Sequence, residues 1–341
     1  MTALAAHGAP RRRKGVVGAV VVLLGLPVVL ALAEAVAFYA TNRSNGRIVS
    51  SGLPREYLLY VPASYDRTRP TPLVITMHGG ALWPAAQLAL DRWNRVADAH
   101  GFIVAYPSGL GGQGPRAWRA GGGPGQVRDV RFIAELIDTL GAGYNIDPAR
   151  IYANGLSNGG GMAFVLSCTL SDRIAAVGVV APAIFLPWSS CGDRRPVPMI
   201  AFHGTADRAT PYHGGTSWVA PNTFPDIPRW VAHWARTNRC TAHPADAVVA
   251  ADVTRRSYTP CADSAAVVLY TIEGGGHTWP GGTPVAEWFV GTTSNGVDAT
   301  AEMWAFFREH PLRGTPTGVR QGSTPVHFSS PNPFGTPSTS R

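Results

Sequence analysis

The stretch that decides the fold is IYANGLSNGGG, residues 151–161. Residues 151–154 have the composition of a buried strand, and the glycine run that follows opens a segment of helical periodicity. Between them Ser157 stands in GLSNG, residues 155–159. A serine at a sharp turn from a strand into a helix is the context of a nucleophile elbow, where glycines on either side avoid collisions. The stretch predicts an α/β sheet with Ser157 as a nucleophile; a glycine-rich turn without chemistry is the alternative.

The chain on either side of this stretch alternates short apolar runs with longer segments of helical period. This alternation predicts an α/β fold with a mostly parallel central sheet and helices on both faces. The expected strands are residues 57–61, 73–77, 102–105, 151–154, 175–180, 199–203 and 267–272. The expected helices are residues 86–100, 130–141, 160–170, 227–237 and 299–310.

Two further polar residues, Asp207 and His277, each follow an expected strand and come after Ser157 in the chain. Asp207 closes FHGTAD, residues 202–207, and His277 lies in GGGHTW, residues 274–279. The order serine, aspartate, histidine is that of an α/β-hydrolase triad. We expect His277 to take the proton of Ser157 and Asp207 to orient the imidazole ring.

Backbone donors for a tetrahedral oxyanion are expected from two places. HGG, residues 78–80, follows a strand at the position where this fold places one donor, and the residue after the nucleophile supplies the other. The expected oxyanion hole is therefore the N–H groups of Gly80 and Asn158.

Three tryptophans are candidates for the wall of a substrate pocket. Trp279 lies two residues from His277, which favours the pocket. Trp83 and Trp118 fit a pocket wall or a core equally well.

The charge of the chain does not predict binding to nucleic acid. The formal net charge is +8, but most of the excess lies in the RRRK cluster, residues 11–14, and in the arginines beyond residue 310. Residues 41–310 are nearly neutral and offer no basic face.

The two ends of the chain differ in composition from the middle. The basic cluster precedes an uncharged apolar run, residues 16–33, so residues 1–40 are expected to be a cleaved export signal or an uncleaved membrane anchor. In the second case the membrane is contacted only through that segment. Residues 41–310 are the expected catalytic domain, and residues 311–341, rich in Pro, Gly, Ser and Thr, are an expected disordered tail.

Four cysteines follow the export segment, and none forms a CxxC pair, which gives a thiolate metal site little support. An exported chain meets an oxidising compartment, so disulfides are expected. Proximity in sequence favours Cys168 with Cys191 and Cys240 with Cys261, although three pairings are open and buried free thiols are the alternative.

Several motifs together resemble one known family. PLVITMHGG, GFIVAYPSG, YNIDPARIYANGLSNGG, FHGTAD and EGGGHTWPGG are similar to motifs of the polyhydroxybutyrate depolymerase and feruloyl esterase type of carbohydrate esterase, over roughly residues 55–310. The resemblance implies an α/β-hydrolase fold, a Ser-Asp-His triad at Ser157, Asp207 and His277, and hydrolysis of carboxylic esters. It implies no metal and no organic cofactor. The extra module that polymer-eroding members commonly carry is not recognisable here, and glycines occupy positions 121–123, where relatives often have cysteines.

The hypothesis is an exported carboxylesterase whose partner is an ester substrate, either a hydroxyalkanoate oligomer or a feruloyl or acetyl ester on polysaccharide. A serine peptidase is a second possibility because the same triad cleaves amides. A catalytically silent surface-binding protein of the same fold is a third.

Overall fold

The computed structural model describes residues 44–111, 116–192, 194–217, 220–241 and 243–313. The predicted export segment, residues 1–40, lies outside these ranges, as do residues 314–341 of the predicted tail. No helix within the described ranges is long and apolar enough to cross a membrane.

The strands form one large sheet and one small hairpin. They are β1 Gly46–Ser50, β2 Leu53–Tyr60, β3 Thr71–Met77, β4 Ile103–Pro107, β5 Ile146–Leu156, β6 Ala176–Val180, β7 Met199–Gly204, β8 Gly215–Ser217, β9 Ala220–Phe224, β10 Ala245–Ala250, β11 Val253–Tyr258 and β12 Val267–Ile272. The hairpin is β8 with β9, and the other ten strands pair in the order β1-β2-β4-β3-β5-β6-β7-β12-β11-β10.

The six central strands of the large sheet, β4 to β12 in that order, run parallel. At each end two strands continue the sheet in antiparallel pairing. Parallel strands buried on both faces are continuous apolar runs, and all seven residues of β3 are buried. The prediction of a mostly parallel sheet is confirmed.

Helices cover both faces of the sheet. They are α1 Pro84–Asp91, α2 Trp93–His100, α3 Gly123–Gly143, α4 Asn158–Thr169, α5 Ile227–Thr237, α6 Glu287–Val290 and α7 Ala299–Glu309. The buried apolar side chains form two clusters. One includes side chains of α3, α4 and α5, and the other includes side chains of α2 and α7. Leu312, just beyond α7, is buried, and its N–H donates to the carbonyl of Ala149 at 2.7 Å.

The helix predicted over residues 86–100 is two helices. Arg92 has a φ of 55°, in the left-handed region, so its backbone ends α1 and begins α2. The Asp91 carboxylate accepts from the N–H of Trp93 at 3.2 Å and supports the new helix start. Apolar periodicity continues across the break, which is why the pattern alone predicted one helix.

Two disulfides join the cysteines in the pairing that proximity favoured. Cys168 bonds to Cys191 and Cys240 to Cys261, and no cysteine is free. The first ties the last turn of α4, the helix that follows Ser157, to a 3₁₀ turn at Trp188–Ser190.

Candidate active site

Ser157 occupies a strained turn between β5 and α4. Its φ is 54° and its ψ is −118°, a conformation that non-glycine residues rarely adopt and that clusters at functional sites. The flanking glycines are required by space: a Cβ on Gly155 would lie 2.5 Å from a backbone carbon of Gly159, and one on Gly159 would lie 2.1 Å from the Met77 carbonyl oxygen. The turn holds the serine at the carboxyl edge of the sheet, as a nucleophile elbow does.

Asp207 and His277 meet at the same edge. Asp207 follows β7 and His277 follows β12, and these two strands are neighbours in parallel register. Their side chains are in hydrogen-bond contact, with 2.8 Å between His277 Nδ1 and Asp207 Oδ2. Because a carboxylate only accepts, the Nδ1–H donates, and Nε2 is the nitrogen left to act as a base.

The Asp207 carboxylate is fully buried and surrounded by donors. Its Oδ1 accepts from the N–H groups of Ala209 and Thr210 at 2.8 and 2.9 Å, and its Oδ2 accepts from the Thr210 hydroxyl at 2.9 Å. Burial alone would raise the pKa of Asp207, but hydrogen bonds from His203 and His277 hold that pKa well below its ordinary value. The side chain is therefore a carboxylate throughout the neutral range, as the orienting member of a triad must be.

The two residues expected to supply oxyanion donors lie beside Ser157. Gly80 and Asn158 line the same cavity as Ser157 and His277. Asn158 is the first residue of α4, so its N–H has no acceptor within the helix and points out of the helix start. Its side chain faces away from this role, since Oδ1 accepts from the Trp118 N–H at 2.6 Å and Nδ2 donates to the Trp118 carbonyl at 3.0 Å.

A buried histidine holds the loop that carries Gly80. His78 Nδ1 donates to the Gly79 carbonyl at 2.8 Å, and Nε2 accepts from the Gly109 N–H at 2.9 Å. Burial lowers the pKa of His78 to about 4, so the ring stays neutral and keeps one donor and one acceptor. The ring thereby joins two loops at the carboxyl edge of the sheet.

Comparison with known proteins identifies the family of the chain. A family model described as esterase PHB depolymerase matches residues 55–217. Putative esterase NocK of Nocardia uniformis subsp. tsuyamanensis is 30% identical over 270 residues, which cover 72% of this chain and 77% of NocK. The chain belongs to the esterase PHB depolymerase family.

A further relative and a solved structure are also similar to this chain of the esterase PHB depolymerase family. Feruloyl esterase B of Piromyces equi is 31% identical over 236 residues, which cover 65% of this chain and 42% of that protein, so the chain spans less than half of that relative. The solved structure of an acetyl xylan esterase from Aspergillus awamori superposes with a TM-score of 0.53 at 14% identity, over 77% of this chain and 98% of that one. The fold is that of the α/β-hydrolases, and the relatives named here are esterases.

The candidate site of this family member opens into a cavity of about 1010 Å³. Ser157 and His277 lie on its wall. Small and apolar residues make up most of the remaining lining, as is usual for pockets that take small organic ligands. Arg208 and Glu287 add one charge of each sign, and Trp288, on α6, is 88% exposed at the edge.

The three tryptophans that were candidates for the pocket wall lie in the core. Trp83, Trp118 and Trp279 are only 2%, 2% and 1% exposed, and none lines the cavity. The indole of Trp279 donates to the Thr300 hydroxyl at 2.9 Å, and that of Trp118 donates to the His78 carbonyl at 3.1 Å. Trp118 therefore contacts both the His78 carbonyl and the Asn158 side chain, next to the expected oxyanion donors.

Three residues near the site have contacts that the motifs did not predict. His203 Nε2 donates to the Thr210 carbonyl at 2.7 Å and lies 3.4 Å from Asp207 Oδ2. Arg208 and Glu287 line the cavity. His203 lies within the FHGTAD motif and Arg208 directly follows it, whereas no motif marks Glu287.

Proposed function

We propose that this chain is a serine esterase that acts outside the cytoplasm through an acyl-enzyme on Ser157. The observation that carries the proposal is the contact of 2.8 Å between His277 Nδ1 and Asp207 Oδ2, in a cavity that Ser157 also lines. The strained backbone of Ser157 supports the same role, because such strain clusters at functional sites.

In the proposed acylation, the Oγ of Ser157 attacks the carbonyl carbon of the ester while His277 Nε2 takes the hydroxyl proton. The carbonyl oxygen becomes an oxyanion, which the N–H groups of Gly80 and Asn158 stabilise. The imidazolium formed on His277 is stabilised by the Asp207 carboxylate. Collapse of the intermediate breaks the carbon–oxygen bond to the alcohol, which leaves with the proton from His277.

In deacylation, water takes the place of the alcohol. His277 removes a proton from the water, the hydroxide adds to the acyl carbon, and the serine oxygen leaves with the proton that His277 returns. The products are a carboxylic acid and free Ser157. This scheme needs only the groups already placed at the carboxyl edge of the sheet.

Two ester classes fit the family: hydroxyalkanoate oligomers, and feruloyl or acetyl esters on polysaccharide. The family description names a polyhydroxybutyrate depolymerase, and one relative is a feruloyl esterase. Both disulfides fit an oxidising compartment outside the cytoplasm. We assign export to residues 1–40, as a signal or an anchor, catalysis to residues 41–310, and a tail to residues 311–341.

The proposal is tested by Ser157→Ala, with Ser190→Ala as the matched control on an exposed 3₁₀ turn. The wild-type protein and S190A should react with a fluorophosphonate probe and hydrolyse 4-nitrophenyl butyrate with a burst. S157A should lose labelling and at least about 1000-fold of kcat/KM, since the nucleophile is gone.

An S157A variant that kept full turnover would overturn the assignment of the nucleophile. A wild-type protein that neither reacts with the probe nor hydrolyses any of a panel of butyryl, acetyl, feruloyl and hydroxybutyrate esters would overturn the esterase function.

A further inference from the structure

The wall of the active-site cavity carries one arginine next to the triad. Arg208 directly follows Asp207, is exposed, and lines the cavity that Ser157 and His277 share. The catalytic scheme proposed above gives this side chain no role.

The backbone of Arg208 is held firmly although its side chain is exposed. The N–H groups of the next two residues, Ala209 and Thr210, donate to Asp207 Oδ1. The Ser217 hydroxyl lies 3.3 Å from the Arg208 carbonyl oxygen and 2.5 Å from that of Ala209. The base of the side chain therefore has a fixed position relative to the Asp207–His277 pair, as a specificity residue on a binding wall needs.

Arg208 has no anionic partner in the part of the chain that the structure describes. The ion pairs formed there join other arginines and histidines to carboxylates and leave Arg208 out. The other charged wall residue, Glu287, accepts from the Thr292 hydroxyl at 2.5 Å. A carboxylate entering the cavity is repelled by Glu287 and attracted by Arg208, so the two charges define an orientation for an anionic ligand.

We propose that Arg208 binds a free carboxylate that the ester substrate carries close to its scissile bond. This inference rests on the proposed esterase function and selects one substrate class within it: short oligomers of a hydroxy acid. When the last ester bond of such an oligomer is hydrolysed, the leaving alcohol is the terminal hydroxy acid, which bears a carboxylate. A guanidinium binds that group with two parallel hydrogen bonds, which a neutral feruloyl or acetyl ester cannot offer.

The test compares two substrates that differ only in this charge: the dimer of 3-hydroxybutyrate and the methyl ester of the same dimer at its free carboxyl group. The ratio of kcat/KM for the acid to that for the methyl ester is measured for the wild type, Arg208→Gln and Arg208→Lys. The matched control is Arg229→Gln, an exposed arginine at the start of α5 that does not line the cavity.

We expect Arg208→Gln to lower this ratio roughly fivefold to tenfold, which is the effect of one partly exposed charge-assisted pair. Arg208→Lys should give an intermediate ratio, because it keeps the charge and loses the paired geometry. The wild-type ratio should fall in about 1 M salt, where the screening length is about 3 Å. R229Q should leave the ratio unchanged.

The outcomes separate this inference from the proposed function. A wild-type protein that hydrolyses 4-nitrophenyl butyrate but has the same ratio as R208Q, or that does not cleave the dimer, overturns the carboxylate subsite and leaves the esterase standing. A wild-type protein that cleaves no ester and takes no fluorophosphonate label overturns both.

Discussion

The buried carboxylate of Asp207 accepts hydrogen bonds from Ala209 and Thr210 as well as from His277. Its two oxygens contact His277 Nδ1, the hydroxyl and N–H of Thr210 and the N–H of Ala209, and His203 Nε2 lies 3.4 Å away. A buried carboxylate without such donors would be protonated or would cost several kcal/mol. The turn from Asp207 to Thr210 is therefore part of the proposed catalytic arrangement.

His203 is the positioning residue whose removal tests this arrangement. His203→Leu deletes a donor near Asp207 Oδ2 and frees the Thr210 carbonyl, whereas His203→Gln keeps an N–H donor. We expect H203L to lower kcat/KM on 4-nitrophenyl butyrate about tenfold. Asp207 then attracts the proton on the His277 ring more strongly, so the acid limb of the pH–rate profile moves to higher pH. H203Q should keep most of the wild-type kcat/KM and an acid limb close to that of the wild type.

The measurement is the pH profile of kcat/KM, taken with a melting curve for each variant. A fall in melting temperature without any movement of the acid limb would mean that His203 serves only the packing of the core.

At the candidate site, the sequence predicts the position of a residue best where that position depends only on the end of a strand or a sharp turn. Ser157 and Asp207 follow from strand ends and glycine spacing, which are local in sequence. Trp279 shows the limit, because its two-residue distance from His277 says nothing about the direction of its indole, which points to Thr300. Glu287 lines the cavity from a four-residue helix far from any motif, so only the tertiary structure places it there.

Among the elements, the break between α1 and α2 buries the carboxyl group of Asp91, which forms no ion pair within the described residues. The Asp91 side chain accepts from the Thr76 hydroxyl at 2.8 Å and from Gln87 Nε2 at 3.0 Å. Burial raises the pKa of Asp91 to about 7 despite these hydrogen bonds. Within the described residues the buried Gln87 Oε1 has no hydrogen-bond partner.

This buried carboxyl group predicts a pH-dependent effect of Asp91→Asn. Asp91 ionises near pH 4 in the unfolded chain and near pH 7 in the folded one, so rising pH across that window removes up to about 4 kcal/mol of stability. The amide of D91N carries no charge and can donate to Gln87 Oε1. We expect D91N to raise the melting temperature at pH 8.5 and to change it little at pH 5, where wild-type Asp91 is already neutral.

Thermal melts of both proteins at the two pH values check this expectation. An equal gain at pH 5 and pH 8.5 would show that packing, and not the charge of Asp91, determines the effect.

The elements that sequence patterns predicted best are strands with a continuous apolar run and helices with one apolar face. Strand β12 and helix α5 have the predicted bounds, since β12 is almost entirely buried and α5 has one clear apolar face. The antiparallel strands β1 and β10 were not predicted, because they lie at the sheet edges and most residues of β10 are exposed. Edge strands with exposed faces carry little apolar signal.

On the scale of the whole molecule, each disulfide closes a chain segment that contributes strands to the large sheet. Cys168–Cys191 encloses β6 and the segment after it, and Cys240–Cys261 encloses the β10–β11 hairpin. The sequence predicted both pairings from proximity, but it left two other pairings open, because only the folded chain brings particular cysteines together.

The two loops are nearly equal in length, with separations of 23 and 21 residues, so each disulfide should stabilise the protein by a similar amount. By loop-closure entropy that amount is about 3 kcal/mol. We expect the double variants Cys168→Ala with Cys191→Ala, and Cys240→Ala with Cys261→Ala, each to lower the free energy of unfolding in urea by this order while kcat/KM at 25 °C is retained. Reduction of the wild type should lower it by about the sum, and a variant without any cysteine should not respond to reductant. A wild-type urea midpoint that is insensitive to reductant would contradict a stabilising role for either bond.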